Sequence, residues 1–302
     1  MAHSVFHGCG GADVTLSTPW SQQLGLRVPI VNAPMGGAAG GRLATAVSRA
    51  GGLGMIGMGS AATAVDLQAE LVELGEVGSF GVGLVHWVMI DRPELFDTAL
   101  AARPALVSVS FGDDYSWVAR VHDAGCAAAT QVADVRAARR AVDAGVDVVV
   151  ARGLEGGGHG EPRIGTLPLL AEVLDTVDVP VLAAGGIASP RALAAVLAAG
   201  ASGAWLGTVF ATCREALTAP DARDRLVAAG SADTVTTRRF DLAQQYRWPA
   251  TMPERVLVDQ AGAPTPVNAG QGVGSVTSSG PAAQVLEQLV RGAEELLRRW
   301  AP

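Results

Sequence analysis

The sequence predicts a (β/α)8 barrel (TIM barrel) with a C-terminal insertion over the active-site face, and three observations carry that prediction. Short β-branched runs alternate with alanine-rich amphipathic stretches from position 28 onward. Eight such runs fit within the first ~215 residues, the number a closed barrel needs. Glycines gather directly after several of them, at the edge where barrel loops build sites.

The runs are VPIVNA (28–33), LGMIG (53–57), SFGVGLV (79–85), ALVSVSF (105–111), CAAATQV (126–132), VDVVVAR (146–152), PVLAAGG (180–186) and GAWLGT (203–208). Continuous apolar runs this short suit parallel strands, which are buried on both faces. Helical patterning covers 41–51, 134–145 and 189–200. The last has Ser189 as N-cap, Pro190 in the first turn and Gly200 as C-cap. An open doubly wound sheet is the competing architecture, but no GxGxxG opens the first βα unit. Positions 215–280 break the alternation with Pro220, Arg238, Arg239, Trp248, Pro249, Pro253 and a Gly/Ser-rich stretch. They are read as an insertion or lid segment, and 281–302 as a closing helix, within a single domain spanning 1–302.

A chain of 302 residues, 49% hydrophobic and 17% charged, can bury a large core. A net charge of -7 gives no support to nucleic-acid or anionic-membrane binding. No apolar stretch reaches the ~18 residues that span a bilayer, and the first residues lack a cationic segment followed by an apolar one. A cytoplasmic protein is expected. The composition is compatible with a homodimer. Cys9, Cys126 and Cys213 form no CxxC pair, so they suggest neither a disulfide framework nor a zinc site, and no metal is expected.

Gly185 and Gly186 follow the seventh run, and Gly207 and Thr208 the eighth. Glycine lets amide N–H groups approach an anion closely, and loops seven and eight are where barrels of this kind hold phosphate. Tight turns alone are the alternative reading. After the sixth run comes GLEGGGHG (153–160), in which Gly156, Gly157 and Gly158 allow a close turn over a flat ligand. His159 then stands at the rim, where an imidazole can take or hold a proton near neutrality. Glu155 either braces that loop or is solvated. His86 and Trp87, where the third run ends, are candidates for the substrate pocket, Trp87 as an apolar wall. Tyr246 and Trp248 are read as a pocket cap or as local packing. His3, His7 and His122 have no supporting context.

Seven segments together resemble the nitronate monooxygenase (2-nitropropane dioxygenase-like) family of FMN-dependent barrels. They are NAPMGG (32–37), AGGLGMIG (50–57), FGVGL (80–84), GLEGGGHG (153–160), AAGGIA (183–188), LGTVF (206–210) and AGQGVG (269–274). The resemblance implies that Ala33, Pro34 and Met35 contact the isoalloxazine ring and that Gly157 and Gly158 line it. It implies that Gly185, Gly186, Gly207 and Thr208 hold the phosphate, that Gln271 closes over the cofactor, and that His159 is the catalytic histidine. Three positions depart from the family pattern. Gly83 stands where an asparagine is usual, Gln131 where a lysine or other polar residue ends strand five, and Arg152 where many members carry Asp or Gln. Gln131 remains able to donate a neutral hydrogen bond to the flavin. Arg152 adds a cation that either favours an anionic substrate or sits in a surface salt bridge.

The implied activity is oxidation of a nitronate or nitroalkane by FMN and O2 to a carbonyl product and nitrite. The chemistry of such a reaction belongs to the flavin. An FMN-dependent enoyl-thioester reductase using NAD(P)H shares the same flavin cradle, and a flavin-binding protein without turnover is a third reading. A nucleotide-oxidising barrel dehydrogenase would need a cysteine after strand six, and 153–165 contains none.

Overall fold

The computed structural model describes residues 16–299. Cys9, His3, His7 and the end of the expected closing helix, 300–302, lie outside them. Strands in chain order are β1 (Ile30–Asn32), β2 (Gly54–Gly57), β3 (Phe80–Val85), β4 (Leu106–Ser110), β5 (Ala127–Val132) and β6 (Val148–Arg152). There follow β7 (Gly158–His159), β8 (Val181–Ala184), β9 (Gly203–Leu206), β10 (Thr234–Thr237), β11 (Glu254–Val258) and β12 (Pro264–Asn268).

Eight of these form one parallel sheet in the order β1-β9-β8-β6-β5-β4-β3-β2. The sheet closes at the β1–β2 seam, where Leu53 N donates to Ile30 O at 2.8 Å and Asn32 N to Leu53 O at 3.3 Å. Asn32, fully buried, completes that seam with its side chain: Oδ1 accepts from Met55 N and Nδ2 donates to Met55 O, each at 2.9 Å. A buried amide bonded at both ends substitutes for ladder bonds the short strand does not supply. The fold is therefore the (β/α)8 barrel expected from the alternation, with strands one to three residues shorter than the apolar runs.

The barrel interior is filled by Val31, Met55, Leu106, Val150, Leu182 and Trp205. Trp20, from the short helix Pro19–Gln23, packs on this cluster beside Gly203, at the end where β9 begins. Chemistry is thus confined to the opposite mouth. The helix Pro190–Ala198 is capped by Ser189, whose side chain accepts from Ala192 N. Its C-cap is Ala199, with Gly200 one position later at φ +104. The long helix Ala282–Arg298 lies against it.

Between β9 and that long helix, β10, β11 and β12 form an antiparallel sheet, and β7 joins it by pairing with β11. The pairing sets His159 directly opposite Glu254. A two-residue strand from the glycine-rich loop is thereby tied to residues far along the chain. Among the described residues, no helix is long and apolar enough to cross a membrane.

Candidate active site

A cavity of about 820 Å³ opens at the C-terminal mouth, and residues at or just beyond the end of every barrel strand line it. They include Ala33–Met35 after β1, Gly83–Val85 at the end of β3, Ser108 and Ser110 on β4, and Gln131 on β5. Arg152, Gly156–His159, Gly185, Gly207 and Thr208 complete the ring. A smaller recess of about 40 Å³ lies beside it, walled by Gly156, Gly157, Gly185, Gly186, Gly207, Thr208, Gly270 and Gly272 with a few apolar side chains.

This recess is glycine because its loops touch. A Cβ on Gly157 would stand 2.6 Å from Gly270 N, and one on Gly272 would stand 2.4 Å from Gly186 O. Gly185 has φ +113, and its Cβ would meet Thr166 Oγ1 at 2.6 Å. Two side chains hold the loops in register. Thr208 Oγ1 accepts from Gly270 N at 2.9 Å, and the Glu155 carboxylate accepts from Thr166 N and Thr166 Oγ1 at 2.9 and 2.7 Å. Glu155 also offers its backbone carbonyl to Gln271 N at 2.8 Å, so it braces the loop. A concavity walled by backbone and small apolar groups suits an anion bound by amides.

His159 occupies the other end of the glycine turn. Its Nε2 lies 3.0 and 2.9 Å from the two carboxylate oxygens of Asp241, and its ring stacks on Trp248 at 3.6 Å with a 4° interplanar angle. Asp241 comes from the helix Arg239–Gln244 of the late segment and is buried. Trp248 is buried too, and its Nε1 donates to Ser60 Oγ at 2.9 Å, so the aromatic wall is anchored to the loop after β2. Glu254 faces the pair from β11 and is only 6% exposed. Burial pulls His159 below the ordinary histidine value, outweighing the upward pull of Asp241. Burial, and then the charge of Asp241, push Glu254 up to about 7.

Arg152 is buried and engaged in a way its sequence position did not indicate. Its Nη2 donates to the carbonyls of Gly156, Gly157 and Gly158 at 3.1, 3.0 and 3.3 Å. Burial, and then the neighbouring Arg255, pull it down to about 10. No carboxylate lies within salt-bridge distance of it among the described residues, so the surface ion pair is corrected. The guanidinium staples the glycine turn from below instead. Gly83 also has a local reason: its Cβ would stand 2.2 Å from Pro34 Cγ, so the proline ring fills the space a side chain would take.

Most of the expected site residues converge on the cavity: Ala33, Pro34, Met35, Gln131, Gly157, Gly158, His159, Gly185, Gly207 and Thr208 line it, and Gly186 lines the recess. Three do not. His86 opens the helix His86–Asp91 with its ring against Gly112, where its buried Nε2 has no partner, and it does not line the cavity. Trp87 stands behind Trp248, ring centroids 6.1 Å apart, with Arg247 over its face, so it backs the wall without facing substrate. Gln271 begins the 3-10 helix Gln271–Ser275; its flanking Gly270 and Gly272 reach the recess while its side chain lines neither cavity. Tyr246 and Trp248 do face the cavity. Sequence reasoning missed Asp241 and Glu254; the available signal was a pair of carboxylates in a segment otherwise read as a lid.

The comparisons agree with this architecture. The model of the IMP dehydrogenase / GMP reductase domain matches residues 6–157, and that of nitronate monooxygenase matches residues 92–248. A (3aS,4S,5R,7aS)-5-hydroxy-7a-methyl-1-oxo-octahydro-1H-indene-4-carboxyl-CoA dehydrogenase of Rhodococcus jostii is 32% identical over 245 residues, 80% of this chain. The chain spans 66% of that relative's length. FabK from Thermotoga maritima superposes with a TM-score of 0.83 at 28% identity, over 95% of this chain and 99% of its own. Nitroalkane oxidase from Streptomyces ansochromogenes gives 0.78 at 29%, over 93% and 100%. With the nitronate monooxygenase model covering β4 to β9 and the wall that holds His159, the chain belongs to the nitronate monooxygenase family.

Proposed function

We propose that the protein is an FMN-dependent oxidoreductase and that its reaction is oxidation of a nitronate or nitroalkane by O2 to a carbonyl product and nitrite. The observation that carries the reading is one cavity running from a glycine recess to an imidazole fixed by a buried carboxylate. The recess fits a phosphate, since seven of its wall residues are glycines that bring no Cβ into it and leave backbone as the wall. FMN, when bound, would supply the electron acceptor and the link to O2. Gly185, Gly186, Gly207 and Thr208 would hold its phosphate, with Gly157 walling the recess as well as the cavity and so reaching the phosphate and not the ring alone, while Ala33, Pro34, Met35 and Gly158 would line the ring. Gln131 is a neutral donor on the same wall.

His159 handles the proton. Donation of Nε2–H to Asp241 fixes the tautomer, which leaves the Nδ1 lone pair as the basic site. Its lowered proton affinity keeps the ring neutral at pH 7, so it is set to accept the α-proton of a nitroalkane. Trp248 keeps the ring in plane and Arg152 keeps the turn beneath it rigid.

A specific observation favours a second reading. Asp66, Glu70, Asp241 and Glu254 line the cavity, and the cation among its walls, Arg152, is committed to backbone carbonyls. Such a lining suits a reacting group that is neutral, as the acyl end of a thioester is, better than a nitronate anion, and the Rhodococcus relative is named for a carboxyl-CoA. The alternative is therefore a flavin-dependent oxidoreductase of acyl thioesters, with NAD(P)H as donor if it reduces.

Colour and product analysis separate these readings. Purified protein should be yellow and release FMN on denaturation; colourless protein that does not take up FMN would remove both. Nitrite formed from propyl-2-nitronate under air supports the first. Anaerobic bleaching by NADPH or NADH, with reoxidation by crotonyl-CoA and no nitrite from the nitronate, replaces it with the second. His159→Asn should lower turnover about a hundredfold or more while keeping the colour.

A further inference from the structure

Glu254 is a buried carboxyl that nothing in the site yet explains. It is 6% exposed, its Oε1 has no hydrogen-bond partner, and no salt bridge reaches it among the described residues. An unpaired ionised carboxylate in such a place is costly, and the group lowers the cost by keeping its proton. It is also close to the catalytic pair: one oxygen each of Asp241 and Glu254, and one ring nitrogen of His159, all lie within 4.8 Å of one another. The β7–β11 pairing sets this neighbourhood, because Glu254 is the register partner of His159 itself.

Other charged groups approach from each side. Asp241 comes from the helix Arg239–Gln244 and Arg152 from β6, the latter lowering the proton affinity of His159. The neighbouring Arg255 sends its guanidinium to Leu154 O and Thr234 Oγ1, so it does not neutralise Glu254. Glu155 is bonded to Thr166.

Resting on the assignment of His159 as base, we infer that Glu254 is a charge-compensating positioning residue that gives up its proton when His159 is left holding one without a bound anion beside it. At rest the cluster holds a neutral imidazole, the Asp241 carboxylate and a protonated Glu254. When His159 Nδ1 takes the α-proton of substrate, the C–H electron pair stays on the nitronate, whose charge balances the imidazolium while it is bound. Once that anion is consumed and its products leave, the imidazolium makes the proton on Glu254 easier to lose. Its release to water in the cavity restores the original single negative charge. One C–H bond breaks with its electron pair kept by the substrate and one N–H bond forms; later the Glu254 O–H bond breaks and an O–H bond to water forms, with no change of oxidation state in the cluster. The three protein groups therefore end the cycle with the single negative charge they began with, and the imidazolium is held between two carboxylates and not beside one. Reprotonation of Glu254 and loss of the His159 proton reset it.

The coupling is readable without cofactor or turnover. In a proton NMR titration of the purified protein, the His159 ring resonance, assigned by its absence from His159→Asn, should show a second inflection near pH 7 as Glu254 ionises. Glu254→Gln should remove that inflection and shift the His159 titration to lower pH, while Glu254→Asp should retain an inflection. A His159 curve unchanged in Glu254→Gln overturns the inference. The loaded enzyme gives a second reading: the basic limb of its kcat profile should lose its neutral-range break in Glu254→Gln, with KM changed less than twofold. If the NMR coupling is present but no substrate turns over, the proposed reaction fails and the proton coupling stands.

Discussion

The two halves of the site are built by opposite means. On the barrel rim, the proposed phosphate site is backbone: Gly185, Gly186 and Gly207 follow β8 and β9 directly, Gly157 precedes β7, and all four wall the recess without a side chain. On the late segment, the site is built of side chains, Asp241, Trp248 and Glu254, which reach His159 from elements that belong to no barrel strand. The difference separates two tasks. Under the proposed function, a rim made of amides holds the cofactor whatever the reaction, and the wall around His159 sets the proton chemistry. Damage to the first should remove the ligand; damage to the second should leave the ligand bound and the chemistry impaired.

The largest effect is expected from Gly185→Val. The new side chain would meet Thr166 Oγ1 and the backbone of Gly153, at a φ of +113 that β-branched residues do not adopt. FMN retention, measured from the visible spectrum after gel filtration, should fall to the background. Gly78→Ala, where a Cβ meets nothing within 4 Å, is the control and should stay yellow. A yellow Gly185→Val protein would show that the recess is not where the phosphate sits.

Asp241→Asn tests the other half. The amide can offer N–H to Nε2 and so stabilise the wrong tautomer, which should lower kcat on the order of a hundredfold with FMN content unchanged. Loss of flavin in this variant would erase the proposed division between rim and wall.

How far each half was legible follows from the same division. The barrel could be read because apolar runs and glycine turns are local signals, and β6 through His159 form one uninterrupted stretch. Asp241 could not be read, because it lies 82 residues from His159 and its role exists only after β7 pairs with β11. Arg152 was visible as a residue but not as a brace: a cation at a strand end suggests an ion pair, and only the curl of the following glycines turns three carbonyls toward it. His86 and Trp87 were placed correctly in sequence, at the end of β3. The helix that begins at His86 turns both away from the cavity.

A pH effect on stability is expected from the wall and not from the rim. Glu254 binds its proton more tightly when folded, with its pKa raised from 4.5 to about 7. The folded state therefore holds more protons than the unfolded chain across that window, and this contribution to stability is complete below about 4.5 and lost as pH rises through about 7. Thermal melts in a buffer series should show Glu254→Gln gaining several degrees on wild type between pH 5 and pH 8. Parallel curves for the two proteins would mean that water reaches the carboxyl and that its burial has no thermodynamic consequence.

The smallest effect separates two contributions of one residue. Trp248 stacks on His159 and donates its Nε1–H to Ser60 Oγ, so it both holds the imidazole flat and ties the wall to the loop after β2. Trp248→Phe keeps an aromatic face but removes the donor, a loss of about 0.5–1.5 kcal/mol in stability. Trp248→Leu removes the face as well, and a stacked pair contributes about 0.5–1.5 kcal/mol beyond its buried area. If the stack orients the base, kcat should fall about threefold to tenfold further in Trp248→Leu than in Trp248→Phe, an interval that matches this energy. Equal rates in the two variants would show that Asp241 alone orients His159, and the wall would then reduce to its two carboxyl groups.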